Sequence, residues 1–221
     1  MKKNKAAFFD VDGTLLNCST WKEVTKYLMR KKQLSIFKLA LRSSQFFFSN
    51  LHLLGRYMFK YNQMHLRGFK ESFIRRKAKE LFEKKLKNEF NKEVLGMLKD
   101  LKSKGYIIVL LTGTHQFFAE ILKDYLGADY EFSSRLEVKK GILTGRTTGP
   151  YPFARGKAKI AKNFAKKEDI DLKSSWAFGD HYTDKYLLEL VGNPVVVNPK
   201  RKFLRFAKKK GWKIINNVNN R

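Results

Sequence analysis

Four aspartates stand in two pairs, and each pair directly follows a short apolar run of the sequence. Asp10 and Asp12 come after AAFF, and Asp180 and Asp184 come after WAFG. Side chains two residues apart on an extended chain point to the same side, so Asp10 and Asp12 can face one ligand. Carboxylate oxygens are ligands that suit Mg²⁺. The two pairs therefore predict a Mg²⁺ site with these four residues as its candidate ligands.

A second group of residues could bind phosphate. Thr112 and Gly113 follow the apolar run YIIVLL and offer a hydroxyl and a main-chain amide at the predicted N-terminus of a helix. Lys157 begins a lysine-rich helix and adds a charged donor, with Lys159 as the alternative in the same helix. Phosphoryl transfer needs a nucleophile, a cation, donors for the phosphate oxygens and a proton source. The aspartates and these donors supply candidates for each of those roles.

The elements that must position these side chains alternate between apolar strands and amphipathic helices along most of the chain. Such an alternation predicts an α/β fold with a parallel sheet and right-handed crossovers. In such a sheet, ligands bind outside the carboxyl ends of the strands, where both aspartate pairs and Thr112 fall. The predicted strands are 6–11, 106–111, 176–178 and 194–197, a hairpin covers 132–148, and the predicted helices are 93–104, 115–126 and 156–167.

One long segment departs from this alternation. Residues 21–90 contain no proline and only two glycines, and their apolar residues recur at helical spacing. This pattern is typical of a helical insert. We therefore predict that residues 1–17 and 92–221 form a catalytic core and that residues 18–91 form a helical cap.

Four short motifs resemble the signature motifs of haloacid dehalogenase (HAD) phosphatases, in the family's order. They are FDVDGTLL at 9–16, LLTG at 110–113, Gly156-Lys157 and GDHYTD at 179–184. The match spans nearly the whole chain, and the insert after the first motif resembles the helical cap of the phosphoserine-phosphatase-like branch, subfamily IB. The character of the cap is also similar to that of HAD-type phosphatidylglycerophosphatases. The resemblance implies a Rossmann-like HAD core with a parallel sheet and an inserted α-helical cap.

The resemblance also implies a role for each candidate residue. Asp10 would form an aspartyl-phosphate, and Asp12 would protonate the leaving group and later activate water. The phosphate would be held by Thr112, Gly113 and Lys157. The Mg²⁺ ligands would be Asp10, the main-chain carbonyl of Asp12, and Asp180, with Asp184 in support. The expected activity is Mg²⁺-dependent hydrolysis of a phosphomonoester, either a small phosphometabolite or a lipid phosphate.

One position departs from the family pattern and bears on the substrate. Phosphoserine phosphatases carry an acidic residue nine positions after the nucleophile, where it holds the amino group of the substrate. An ungapped count gives Ser19 at that position here, with Glu23 one helical turn further on. The departure counts against phosphoserine as the substrate.

The chain is strongly basic, with 47 lysines and arginines against 20 acidic residues and a net charge of +27. Residues 18–91 carry 18 basic and 5 acidic residues, and residues 199–221 carry 9 basic residues and no acidic one. Such a charge attracts polyanions. The alternative to an enzyme is therefore a basic nucleic-acid-binding or membrane-binding protein with a vestigial HAD site. No nucleic-acid-reading motif is present in the sequence, so nucleic acid is not expected as a partner.

Residues 36–59 have an apolar centre between basic flanks. Their longest uncharged run is 13 residues, whereas a membrane span takes about 20. The segment fits either cap helices that pack on one another or a surface that lies on anionic lipid. The single cysteine favours a reducing compartment, and Asp10 interrupts the apolar stretch near the N-terminus, which counts against a signal peptide. We expect a cytoplasmic protein, with peripheral contact at the inner face of an anionic membrane if the cap binds lipid.

Overall fold

The computed structural model of the chain describes residues 4–34 and 63–216, so the apolar segment at 36–59 lies outside the described residues. The strands are β1 (Ala6–Phe9), β2 (Ile107–His115), β3 (Tyr130–Lys139), β4 (Ile142–Thr148), β5 (Trp176–Gly179), β6 (Asn193–Val197) and β7 (Lys213–Ile215). The helices are α1 (Thr20–Arg30), α2 (Glu71–Lys84), α3 (Lys92–Ser103), α4 (Gln116–Leu126), α5 (Arg155–Lys167), α6 (Lys185–Leu188) and α7 (Arg201–Lys209). No helix within these two ranges is both long enough and apolar enough to cross a bilayer.

The strands form one sheet in the order β4-β3-β2-β1-β5-β6-β7. Neighbouring strands are parallel throughout, apart from the antiparallel hairpin of β3 and β4. The predicted α/β fold with a mostly parallel sheet is therefore confirmed. Because β1 lies between β2 and β5, the carboxyl ends of the three strands that precede the candidate residues lie side by side.

Both faces of the sheet are covered by helices. Along β1, Ala7 and Phe9 pack into one core with α1 to α4, whereas Ala6 and Phe8 pack into a second core with α5, α6 and α7. All four side chains are fully buried. Burial on both faces explains why the strands read as continuous apolar runs and not as alternating ones.

The junction of β2 and α4 differs from the sequence-based prediction. The strand extends to His115, so Thr112 and Gly113 lie inside β2, and α4 begins at Gln116 with His115 at its N-cap. The prediction that Thr112 and Gly113 stand at a helix N-terminus is therefore wrong. The cause is pairing with β3, since His115 pairs with Ser134 and the Ser134 hydroxyl donates to the Gly113 carbonyl at 2.7 Å.

The chain that follows the undescribed segment runs beside the β3–β4 hairpin. The Gly68 N–H donates to the Leu143 carbonyl at 2.8 Å, and the Leu143 N–H donates to the Phe69 carbonyl at 2.9 Å. Helix α2 then contacts α4, and its buried residues belong to the first core. The C-terminal part of the predicted cap thus packs closely on the sheet and on α4, while the boundaries of a cap at residues 18–91 stay a prediction.

Candidate active site

The candidate residues meet in one cavity of about 570 Å³, which lies at the carboxyl ends of β1, β2 and β5. Its lining includes every residue for which the sequence predicts a role: Asp10, Asp12, Thr112, Gly113, Lys157, Asp180 and Asp184. Residues from α1 and from the loop before it also line the cavity, among them Ser19, Lys22 and Glu23. The fold therefore brings together side chains that are up to about 170 residues apart in the sequence.

Asp10 lies directly after β1 and is buried. Its N–H donates to the Phe178 carbonyl of β5 at 3.1 Å, which fixes its backbone. Its Oδ1 accepts a hydrogen bond from the Val11 N–H at 2.8 Å and lies 3.0 Å from the Lys157 Nζ. The other carboxylate oxygen receives no donor from the described residues. Burial raises the pKa of Asp10 to about 6, although the Lys157 ammonium acts in the opposite direction.

Lys157 is the lysine that contacts the aspartates of the site. Its side chain is buried in the first turn of α5, with Nζ 2.7 Å from Asp184 Oδ1 and 3.0 Å from Asp10 Oδ1. Burial alone would lower the pKa of this ammonium, but the two carboxylates outweigh it and raise the pKa above its ordinary value. Lys159, the alternative that the sequence left open, is exposed and does not line the cavity.

Three carboxylates form a compact group beside this lysine. Asp10, Asp180 and Asp184 each offer an oxygen, and these oxygens lie within 4.8 Å of one another. Burial, together with the charges of Asp10 and Asp184, raises the pKa of Asp180 to about 8. A divalent cation would offset both the burial of this carboxylate and the repulsion from its neighbours. The three side chains therefore fit a hard cation such as Mg²⁺, which prefers oxygen ligands.

The Asp12 carboxylate lies outside this group and is held by Thr20, the first residue of α1. Its Oδ1 accepts a hydrogen bond from the Thr20 N–H, and its Oδ2 accepts one from the Thr20 hydroxyl, both at 3.0 Å. The Thr20 hydroxyl also lies 3.2 Å from the Thr114 hydroxyl, to which Thr112 donates at 3.1 Å. Burial raises the pKa of Asp12, although the hydrogen bonds from Thr20 lower it. A carboxyl group with a raised pKa and a fixed orientation is suited to proton transfer.

Asp184 has two functions in the structure. Its Oδ1 accepts from Lys157, and its Oδ2 accepts from the His181 N–H at 3.0 Å, which closes the turn before α6. The sequence is also compatible with Asp184 as a mere cap of the helix that begins near Lys185, but its side chain makes no capping hydrogen bond to α6 and instead contacts Lys157 and the preceding turn. His181 itself is exposed and caps the same turn.

Gly13 allows the loops after β1 and β5 to approach each other closely. Its φ angle is +80°, a conformation that residues with a β-carbon rarely adopt. A β-carbon at this position would also clash with the Asp180 carboxylate. The glycine of the first motif is therefore needed for the position of an aspartate in the fourth.

Thr20 and Thr114 are residues of the site that the sequence did not single out. Thr20 lies at the start of the predicted cap, outside all four motifs, and Thr114 follows the second motif. A threonine at the start of a helix is a common capping residue, so neither position carried a distinctive signal. His115 also lies at this junction, but burial lowers its pKa to about 4, which leaves the imidazole uncharged near neutrality.

The chain matches a known family over most of its length, since residues 7–189 fit the description of a haloacid dehalogenase-like hydrolase. The chain belongs to this family. The prediction from the four motifs is thus confirmed. This HAD-like hydrolase is 28% identical over 193 residues to the phosphoserine phosphatase of Methanocaldococcus jannaschii, with 86% of the chain and 84% of that protein covered. It spans between a quarter and somewhat under half of the length of other curated relatives that it matches.

Solved structures agree with the fold. A protein of unknown function from Bordetella pertussis superimposes on the HAD-like hydrolase with a TM-score of 0.81 and 20% identity, covering 97% of this chain and 99% of the other. A structure described as a phospho-aspartyl intermediate analogue of phosphoserine phosphatase gives a TM-score of 0.65 and 24% identity, with 97% and 94% covered. At these identities the likeness concerns the fold alone, and it confirms the Rossmann-like HAD core.

Proposed function

We propose that this HAD-like hydrolase is a Mg²⁺-dependent phosphatase that hydrolyses phosphomonoesters through an aspartyl-phosphate at Asp10. The observation that carries the proposal is the position of the buried Asp10 carboxylate. It lies 3.0 Å from Lys157 and within 4.8 Å of the ligand oxygens of two further aspartates, and one of its oxygens has no donor among the described residues. The 28% identity to the phosphoserine phosphatase of Methanocaldococcus jannaschii supports the same chemistry.

The reaction would proceed in two steps. In the first, an oxygen of Asp10 attacks phosphorus, the bond to the ester oxygen breaks, and Asp12 gives its proton to that oxygen. In the second, water attacks the phosphorus of the aspartyl-phosphate, Asp12 takes a proton from the water, and the bond to Asp10 breaks to release inorganic phosphate. Asp12 thus ends each turnover with its proton restored, and Thr20 holds its carboxyl group throughout.

The remaining residues would neutralise and orient the phosphate. Lys157, the Thr112 hydroxyl and the Gly113 amide would bind its oxygens. The Mg²⁺ ligands would be Asp10, the main-chain carbonyl of Asp12, and Asp180, with Asp184 in support. A bound Mg²⁺ would shield the aspartates from the phosphate and stabilise negative charge on the transferred group. Removal of Lys157 or of Mg²⁺ would therefore leave like charges facing each other.

The proposal also includes the role of the cap and the location of the enzyme in the cell. Residues 18–91 would form a cap over a core of residues 1–17 and 92–221 and shape access for a small phosphometabolite or a lipid phosphate. The cytoplasm is the proposed location, with contact at an anionic membrane face if the substrate is a lipid. Helix α7 is basic, and residues 199–216, which contain it, include no acidic residue. This positive charge would favour such contact.

A generic aryl phosphate provides the test of the proposed function. We expect the wild-type protein to release phosphate from this substrate in the presence of Mg²⁺, and we expect the release to stop when a chelator is added. The variant Asp10→Asn should lose at least about 10³-fold in kcat, because the amide is not a nucleophile. Asp124→Asn, an exposed aspartate on α4, is the matched control and should keep full activity. Undiminished turnover in Asp10→Asn would show that the nucleophile is another residue.

A basic binding protein with a vestigial site is the second candidate, favoured by the charge of +27. It predicts affinity for a polyanion that falls steeply with salt and is indifferent to Asp10→Asn. The aryl phosphate assay separates the two candidates, since a vestigial site releases no phosphate with or without Mg²⁺.

A further inference from the structure

We propose that the cavity selects phosphomonoesters whose leaving group carries a second anionic group and no free ammonium, and that Lys22 determines this preference. The inference rests on the proposed phosphatase function. It concerns the part of the cavity that α1 and the loop before it form, away from the reacting aspartates. Four residues of this part bear on the choice of leaving group: Ser19, Lys22, Glu23 and, behind them, Lys85.

Glu23 is the acidic residue that lines this part of the cavity, and its charge is already neutralised by two lysines. Its Oε2 accepts a hydrogen bond from Lys85 Nζ at 2.6 Å, and its Oε1 lies 3.6 Å from Lys26 Nζ. Although burial acts to raise the pKa of Glu23, these two lysines lower it below its ordinary value. A substrate ammonium would have to displace an existing partner to bind this carboxylate, so Glu23 gains little from a cationic ligand.

Ser19 and Lys22 make the same part of the cavity favourable for an anionic group of the substrate. Ser19 lines the cavity and is uncharged. Lys22 also lines it and is exposed, and no carboxylate of residues 4–34 and 63–216 lies within ion-pair distance of its ammonium. An ammonium on a flexible side chain without an intramolecular partner can turn toward a ligand anion. The local charge therefore favours a carboxylate or a second phosphate on the substrate.

Three phosphomonoesters with two-carbon leaving groups provide the test: 2-phosphoglycolate, 2-hydroxyethyl phosphate and phosphoethanolamine. They differ in the charge of the distal group, which is negative, neutral and positive. We expect kcat/KM of the wild-type enzyme to decrease in that order. In Lys22→Met, the ratio of kcat/KM for phosphoglycolate to that for phosphoethanolamine should fall by about tenfold. The substitution removes both the attraction of Lys22 for the carboxylate of phosphoglycolate and its repulsion of the ammonium of phosphoethanolamine. The neutral ester should change little.

Two further variants make the assignment specific. Lys22→Glu should reverse the order of the charged esters. Lys85→Met should raise kcat/KM for phosphoethanolamine several-fold, because it releases Glu23 from its shorter ion pair. Lys31→Met, at the far end of α1 and exposed, is the control and should leave all ratios unchanged.

The inference is overturned if the wild-type enzyme prefers phosphoethanolamine, or if the ratios stay the same in Lys22→Met and Lys22→Glu. Either result leaves the phosphatase function intact provided that the aryl phosphate is hydrolysed. If neither the aryl phosphate nor any of the three esters is hydrolysed, the proposed function fails and the inference fails with it.

Discussion

At the residue scale, the orientation of the Asp12 carboxylate depends on Thr20, which belongs to none of the four motifs. The spacing of Asp10, Asp12, Asp180 and Asp184 could be read from the sequence, because strand ends and acidic pairs are local features. The contact of Thr20 with Asp12 could not be predicted from the sequence. It forms only because the loop at 13–19 brings the start of α1 close to the end of β1. Residues that orient a catalytic group through tertiary contact leave no local pattern.

The first prediction concerns this contact. Thr20→Val keeps the main-chain N–H but removes the hydroxyl that donates to Asp12 Oδ2. We expect kcat to fall about tenfold for an alkyl phosphate and much less for an aryl phosphate, whose leaving group needs little protonation. The control is Thr25→Val in the same helix, whose hydroxyl donates to the Trp21 carbonyl and not to the site. Equal losses on both substrates would indicate a structural defect and not a loss of proton transfer.

The second prediction distinguishes the two lysines of α5. Lys157→Met leaves Asp10 and Asp184 buried without their cation. We expect the free energy of unfolding of the metal-free protein to fall by about 3 kcal/mol near pH 8, the size typical of breaking a buried ion pair. Lys159→Met, at an exposed position, should change it by less than about 0.5 kcal/mol. Urea denaturation in a chelator measures both values, and similar values for the two variants would contradict the structural assignment of Lys157.

At the element scale, the sequence predicted six of the seven strands and the helices α3, α4 and α5, because each has a strong local pattern, whereas β7 and α7 were not predicted. Helix α3, predicted at 93–104, is found at Lys92–Ser103, and α5, predicted at 156–167, is found at Arg155–Lys167. The end of β2 was predicted at residue 111, because the apolar run stops there, whereas the extended conformation of residues 112–115 depends on pairing with β3. Partner strands decide where a strand ends, and that information is not local.

The third prediction concerns the close approach of two loops at Gly13. Gly13→Ala and Gly141→Ala both replace a glycine with positive φ, +80° and +76°, but a β-carbon at Gly141 meets nothing within 4 Å. We expect Gly141→Ala to lose about 1 kcal/mol of stability from backbone strain. Gly13→Ala should lose more and should also weaken Mg²⁺ binding at least about tenfold, because the new methyl group displaces Asp180. Calorimetric titration with Mg²⁺ measures the affinity, and unchanged binding in Gly13→Ala would exclude Asp180 as a ligand.

At the scale of the whole molecule, β1 and β5 come from distant parts of the chain and bring the acidic residues that follow them to one edge of the sheet. The resulting group of Asp10, Asp180 and Asp184 is unfavourable without a cation. The order of motifs was sufficient to predict this arrangement through family resemblance. The net charge of +27, by contrast, says nothing about substrate until the structure shows which lysines reach the cavity and which are already paired.

The fourth prediction concerns the pH dependence of metal stabilisation. In the metal-free protein the pKa values of Asp10 and Asp180, about 6 and about 8, lie above the ordinary value of 3.8. The folded state then binds more protons than the unfolded state, so stability falls as pH rises from about 4 to about 8. Mg²⁺ binds the ionised carboxylates, so the rise in Tm that it causes should grow over the same range. Thermal denaturation with and without Mg²⁺ tests this, and a rise in Tm independent of pH would contradict it.

The formation of a covalent intermediate on Asp10 tests the central claim most directly. The enzyme would be mixed with an aryl phosphate and Mg²⁺, quenched during turnover and reduced with borohydride, which converts an aspartyl-phosphate to homoserine. Asp12→Asn should increase the yield, because it slows hydrolysis of the intermediate while an aryl leaving group still departs. We predict homoserine at position 10 by peptide mass spectrometry, dependent on substrate and Mg²⁺. Homoserine at another aspartate, or none while phosphate is released, would contradict the account.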